Sequence, residues 1–125
     1  MSRFNEHKKV LFGLLKSYCP SVYFQQAPSD AGFPRTVYEL KQLSVEDDLH
    51  EKYLLTLNCY DKGQQESIDE YIDTLIAGID KSVHFTNAVY YQFYYNKDRQ
   101  PIAEQDKSLR RVMLTFEVRI YVRSD

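Results

Sequence analysis

The chain has 125 residues, 43% hydrophobic and 27% charged, a balance that excludes a disordered segment and fits one domain, residues 1–125, with its own core. With 16 Lys and Arg against 18 Asp and Glu, the net charge is −2, which argues against a dedicated nucleic-acid binder. No apolar run approaches the ~20 residues needed to cross a bilayer. The opening MSRFNEHKKV lacks the sustained apolar stretch of a signal peptide, so a cytoplasmic setting without membrane contact is expected.

In chain order, FNEHKKVLFGLLKSY places Phe4, Leu11, Leu14, Leu15 and Tyr18 near helical spacing, predicting a helix from about Arg3 to Tyr18. Ser2 is available as its N-cap, and Cys19-Pro20 stops it. VYFQQ, Val22 to Gln26, reads as a short strand, and APSDAGFP as an exposed loop. TVYELKQL and KYLLTLNCYD read as two strands joined by the acid-rich SVEDDLHE, which is expected to be a solvated connection.

SIDEYIDTLIAGID puts Ile68, Tyr71, Ile72, Leu75, Ile76 and Ile79 on one helical stripe, with Ser67 and Glu70 in the spacing of a capping box. AVYYQFYY follows as a strand whose rings divide between two faces: Val89, Tyr91, Phe93 and Tyr95 on one, Ala88, Tyr90, Gln92 and Tyr94 on the other. NKDRQPIAEQDKSLR is a long polar connection, expected to be functional or flexible. The last segment, RRVMLTFEVRIYVR, alternates throughout. Val112, Leu114, Phe116, Val118, Ile120 and Val122 form its apolar face. Arg111, Met113, Thr115, Glu117, Arg119, Tyr121 and Arg123 form the other, open to water, nucleic acid or another protein chain.

The order is thus α-β-β-β-α-β-β. Short connections make neighbouring strands antiparallel, which predicts an α+β fold: a mainly antiparallel sheet of four to five strands with two helices packed on one face. The face away from the helices would then present Tyr, Met and Leu beside Arg and Glu, the composition of a protein interface with a polar rim or of a half-exposed sheet on a monomer. The content of 11 Tyr and 7 Phe with no Trp suits surfaces that are wet in one state and covered in another.

Catalytic patterns are weak. Cys19 and Cys59 are too far apart for a CxxC site and read as buried free thiols. Asp47, Asp48, His50 and Glu51 have metal-ligand chemistry, but they crowd one segment with no second ligand group, so a solvated charged loop is expected. His7 and His84 lie far from it, and the four glycines are scattered, with no phosphate-binding loop. Lys107, Arg110, Arg111, Arg119 and Arg123 could contact phosphates, with the Tyr-rich strand as a stacking platform, but the glycine-bearing RNA-binding signature is absent.

An amphipathic first helix leads into VYFQQAPSDAGFPRTVYEL, an aromatic pair followed by a loop ending in Phe33-Pro34. YLLTLNCYDKG then runs directly into QESIDEYIDTLIAGID, and SLRRVMLTFEVRIYV closes the chain. Over residues 4–122 this succession resembles the small tail-terminator and tail-completion, or head-to-tail joining, proteins of long-tailed bacteriophages and prophages. The resemblance implies a structural protein with no active site and no cofactor or metal. It implies a homo-oligomeric ring, commonly hexameric, at the head-proximal end of the tail tube, which ends tube growth and provides the head docking surface in virion assembly.

Its implied partners are further copies of itself, the tail-tube protein and head-tail connector proteins, with genomic DNA only in passage through the lumen. Its implied location is the bacterial host cytoplasm during assembly and then the virion tail. The interface residues expected on this reading are Arg111, Glu117, Arg119, Tyr121 and Arg123 on the final strand, with Phe33 and Pro34 carried over as landmarks. The resemblance does not require the Tyr-rich strand. The same pattern also serves another neck or head-completion protein. A small ligand-binding domain or enzyme using the Asp47 to Glu51 cluster, or a nucleic-acid-binding α+β domain, are the other readings.

Overall fold

The computed structural model describes residues 3–19, 21–28, 31–47, 50–86 and 89–122, with the backbone alone for Arg3, residues 44–47 and Val122. It contains α1 (Arg3–Lys16), β1 (Val22–Phe24), β2 (Arg35–Asp47), β3 (His50–Lys62), α2 (Gln65–Ile79), β4 (Val83–Thr86), β5 (Val89–Tyr95), β6 (Gln100–Ile102) and β7 (Leu109–Val122). The fold is mixed α+β with two helices, as expected. The sheet is larger than the expected four to five strands. Among the described residues it has seven, in the order β1-β2-β3-β7-β5-β4, with β6 beside β7.

β7 and β3 pair antiparallel along their whole length, from Lys62 opposite Leu109 to His50 opposite Tyr121. β2 continues the antiparallel pairing on the far side of β3, and β1 joins β2 in parallel at the edge. The long ladder carries pairing into the acid-rich segment expected to be a solvated connection. Ser44 opposes Lys52, Val45 opposes Glu51 and Asp47 opposes His50, with register shifts on either side of Val45. A neighbouring strand that supplies hydrogen bonds here outweighs the poor strand propensity of Asp and Glu.

The polar connection after β5 is structured as well. β5 and β6 run in the same direction along one edge of β7, and residues 96–99 between them bulge outward. Asp98 takes over the missing ladder contact: its carboxylate accepts from the Thr115 amide at 2.8 Å and from the Thr115 hydroxyl. The bulge aims Arg99 at α2, where its guanidinium donates to Asp69 and Asp73.

One face of the sheet holds the core. Val112, Leu114, Phe116, Val118 and Ile120 of β7 are all fully buried, beside Tyr53, Leu55, Leu57 and Cys59 of β3 and Tyr91 and Phe93 of β5. Ile68, Ile72, Leu75 and Ile79 of α2 and Leu11 and Leu15 of α1 cover them, so both helices lie on this face. Truncating a ring such as Phe116 to Ala would cost about 4 kcal/mol.

α2 begins earlier than the capping-box spacing implies. Gln64 is the N-cap and makes no side-chain capping bond, while Ser67 sits in the first turn and its hydroxyl donates to Asp61 at 3.0 Å. Asp61, at the end of β3, thus ties the helix to the strand. Gly63 makes the reversal between them at φ 113°, a conformation that penalises a side chain. α1 ends at Lys16, two residues short of the expected boundary; Ser2 and Pro20 lie outside the described residues. Gly78 of α2 lies against the turn that follows α1, where a Cβ would fall 2.7 Å from the Tyr18 ring.

Candidate functional site

Alternation along β7 turns Arg111, Met113, Thr115, Glu117, Arg119 and Tyr121 away from the core, and all six are half-buried. In register beside them stand Leu54, Thr56, Asn58 and Tyr60 of β3 and Tyr90, Gln92 and Tyr94 of β5. Neither helix covers this face, because both occupy the opposite one. Of the interface residues expected from the sequence, Arg111, Glu117, Arg119 and Tyr121 share this surface, and Arg123 lies outside the described residues.

Phe33 and Pro34 precede β2 through a cis peptide bond, and the structure brings them to the Arg111 end of the same face. The Arg35 guanidinium lies 4.4 Å from the Phe33 ring centroid and 5.7 Å from that of Tyr60, and Arg111 approaches Tyr60 from the other side at 5.7 Å. Arg111 is held by Asn58, whose side-chain oxygen accepts from Nη2 at 2.8 Å, and it pairs with Glu104. At the other end Arg119 lies 4.7 Å over Tyr94 and donates to Glu117 at 2.7 Å, while His50 and Tyr121 stack with centroids 4.3 Å apart. Rings alternating with guanidinium groups have the chemistry for stacking, cation–π contact and hydrogen bonds to carboxylates.

The sequence reading missed the outer rim of this surface. Val83 and Phe85 of β4 are more than half exposed, and Phe85 packs on Tyr90 at 4.7 Å. Their signal is the alternation Val83-His84-Phe85-Thr86, four residues long and easily taken for the exit of α2. The Tyr-rich strand divides as its alternation implies: Tyr91 and Phe93 are buried, whereas Tyr90 and Tyr94 stand on the open face.

Of the Asp47 to Glu51 cluster, the side chains of His50 and Glu51 are described, and they point to opposite faces. Glu51 turns into the core and His50 to the open face, as successive residues of a strand must, and Asp48 lies outside the described residues. Among the described residues no group of three or more His, Cys, Asp or Glu is placed to hold a metal ion. Glu51 instead accepts from His7 Nε2 of α1 at 2.8 Å, and His7 Nδ1 lies 3.0 Å from the Tyr91 hydroxyl. In the neutral imidazole this is a relay in which Tyr91 donates to Nδ1 and Nε2–H donates to the carboxylate. Burial, with the charges of Glu6 and Glu51 nearby, pushes the Tyr91 phenol up to about 12.

A second buried set joins the two thiols. The Thr36 hydroxyl lies 3.5 Å from Cys59 Sγ and 2.9 Å from the Tyr71 hydroxyl, and Cys19 is buried beside them with a hydrogen bond to Tyr71. Both cysteines are free, and burial pushes Cys59 up to about 12 and Cys19 above its ordinary value. Thiolates are the reactive form, so neither sulfur is a nucleophile at neutral pH.

No described helix is long and apolar enough to cross a membrane. No protein-family model matches the chain, and a search of curated proteins finds no match either.

Proposed function

We propose that this protein is a structural assembly component of the tail-terminator or tail-completion type, which forms a ring at the head-proximal end of a phage or prophage tail tube. On this reading it ends tube growth, offers the docking surface for the head connector, and has no catalytic role. The observation that carries the reading is the uncovered sheet face. It spans β3, β7, β5 and β4 and bears Leu54, Met113, Tyr90, Tyr94, Tyr121 and Phe85 among arginines and lysines.

Apolar and aromatic surface on this scale gains free energy by being covered, and a chain that covers it with a different patch of the next copy builds a ring when the rotation closes. The resemblance over residues 4–122 supplies the setting, and a hexamer is the expected stoichiometry. The fold and the buried polar sets are consistent with it: His7, Glu51 and Tyr91 bind one another in the interior, where they serve stability.

Multi-angle light scattering on the purified chain, alone and mixed with its tail-tube protein, tests the reading. A closed oligomer of fixed mass is expected in one or both samples. A strict monomer at high concentration that also fails to bind the tube protein would refute it.

A further inference from the structure

The described charges are sorted by surface. On the open face and its rim the described cations are Arg35, Lys41, Lys52, Lys62, Arg111 and Arg119, against the carboxylates Glu39, Asp98, Glu104 and Glu117, so cations are in excess there in a chain whose net charge is −2. On the other side of the domain, α2 is acidic. α2, QESIDEYIDTLIAGI, carries Glu66, Asp69, Glu70 and Asp73 and no basic residue. Its apolar stripe is buried on the core face, so Glu66, Glu70 and Asp73 point outward and are exposed. Arg99 offsets Asp69 and Asp73 in part, and the exposed Thr74 and Ala77 leave a low relief across which another surface can approach.

We infer that the open face of the sheet docks on the acidic outer face of α2 of a second copy of this chain. The inference rests on the ring reading above and names the two surfaces that meet. The two patches face opposite ways on one domain, so they can join only between copies, and the contact is head-to-tail. A twofold contact of open face with open face would set cation against cation, and one of α2 with α2 would set acid against acid; both are disfavoured. In the head-to-tail arrangement the guanidinium and ammonium groups reach carboxylates, the Tyr90, Tyr94 and Tyr121 hydroxyls gain acceptors, and Phe85 and Leu54 lose their contact with water.

Two variants isolate the contact. Lys41→Glu with Lys52→Glu reverses the open face, and Glu66→Lys with Glu70→Lys reverses the helix, in each case at positions away from the core. Sedimentation velocity is expected to show self-association weakened at least roughly tenfold in each variant, because each sets like charges together. Mixing the two variants one to one restores assembly, since each reversed surface then finds its complement on the other chain; joining all four substitutions in one chain restores it as well. A misfolded variant would not be rescued by mixing.

Oligomers unchanged by either reversal would overturn this contact while leaving the ring reading intact. A wild-type chain that is monomeric with and without the tube protein would overturn both. A monomeric wild type that binds a thymidine oligonucleotide through the open face, with binding lost in the Lys41→Glu, Lys52→Glu variant, would assign the face to nucleic acid instead.

Discussion

His7 and Glu51 meet 2.8 Å apart in the interior, one on α1 and the other on β3, and each is at most 5% exposed. This pair, the bond of His7 to the Tyr91 hydroxyl and the Tyr38 hydroxyl, which donates to the Lys8 carbonyl, fix how α1 lies across the sheet, together with the buried Leu11 and Leu15. Replacing His7 with Leu removes the imidazole from a buried carboxylate and should lower stability by about 3 kcal/mol in urea unfolding. Replacing Glu51 with Leu as well should recover most of that loss. A double variant as unstable as the single one would mean that the pair does more than satisfy itself.

The buried phenols give the protein an alkaline limit. Burial raises Tyr38 and Tyr91 to about 12, and Tyr71 is raised too, whereas an unfolded phenol titrates near 10. The folded state therefore binds more protons between these values. Its stability is fully present below about pH 10 and falls as pH rises through 12, by about 1.4 kcal/mol per pH unit for each such phenol. Urea midpoints from pH 8 to 11, read with phenolate absorbance, should show this fall, and Tyr91→Phe should flatten it by one phenol's share.

Cys19 and Cys59 should be silent towards iodoacetamide at pH 8 in the folded protein and both react once it is unfolded. Their burial both blocks access and holds the protons on sulfur. Mass spectrometry of the labelled chain reads the result, and native labelling at either position would place that thiol in a part of the fold that opens readily.

Much of this architecture was legible in the residue pattern because its signal is periodic and long. Val112 to Ile120 occupy every second position of β7, and Ile68 to Ile79 follow the helical period, so one apolar face packs on the other. What stayed hidden was short or polar. β4 and β6, of four and three residues, are too short to show a period, and only the ladder beside them makes them strands. His7 lies on the same stripe as Phe4 and Leu11, and Glu51 is in phase with Tyr53 and Leu55, yet Glu51 reads as solvated and His7 shows no partner, because a buried polar pair has no apolar signature. Of the open face, the row from Arg111 to Tyr121 was legible as the polar half of an alternation. Its rim at Val83 and Phe85 was not, because it arrives from a hairpin remote in sequence.

The measurement that tests the central proposal most directly is the length of tail tubes in electron micrographs, grown from purified tube protein with and without this chain. The chain should cap one end of each tube, stop its growth and shorten the length distribution as its concentration rises, and the Lys41→Glu, Lys52→Glu variant should do neither. Tubes of unchanged length with bare ends at every concentration would contradict the account.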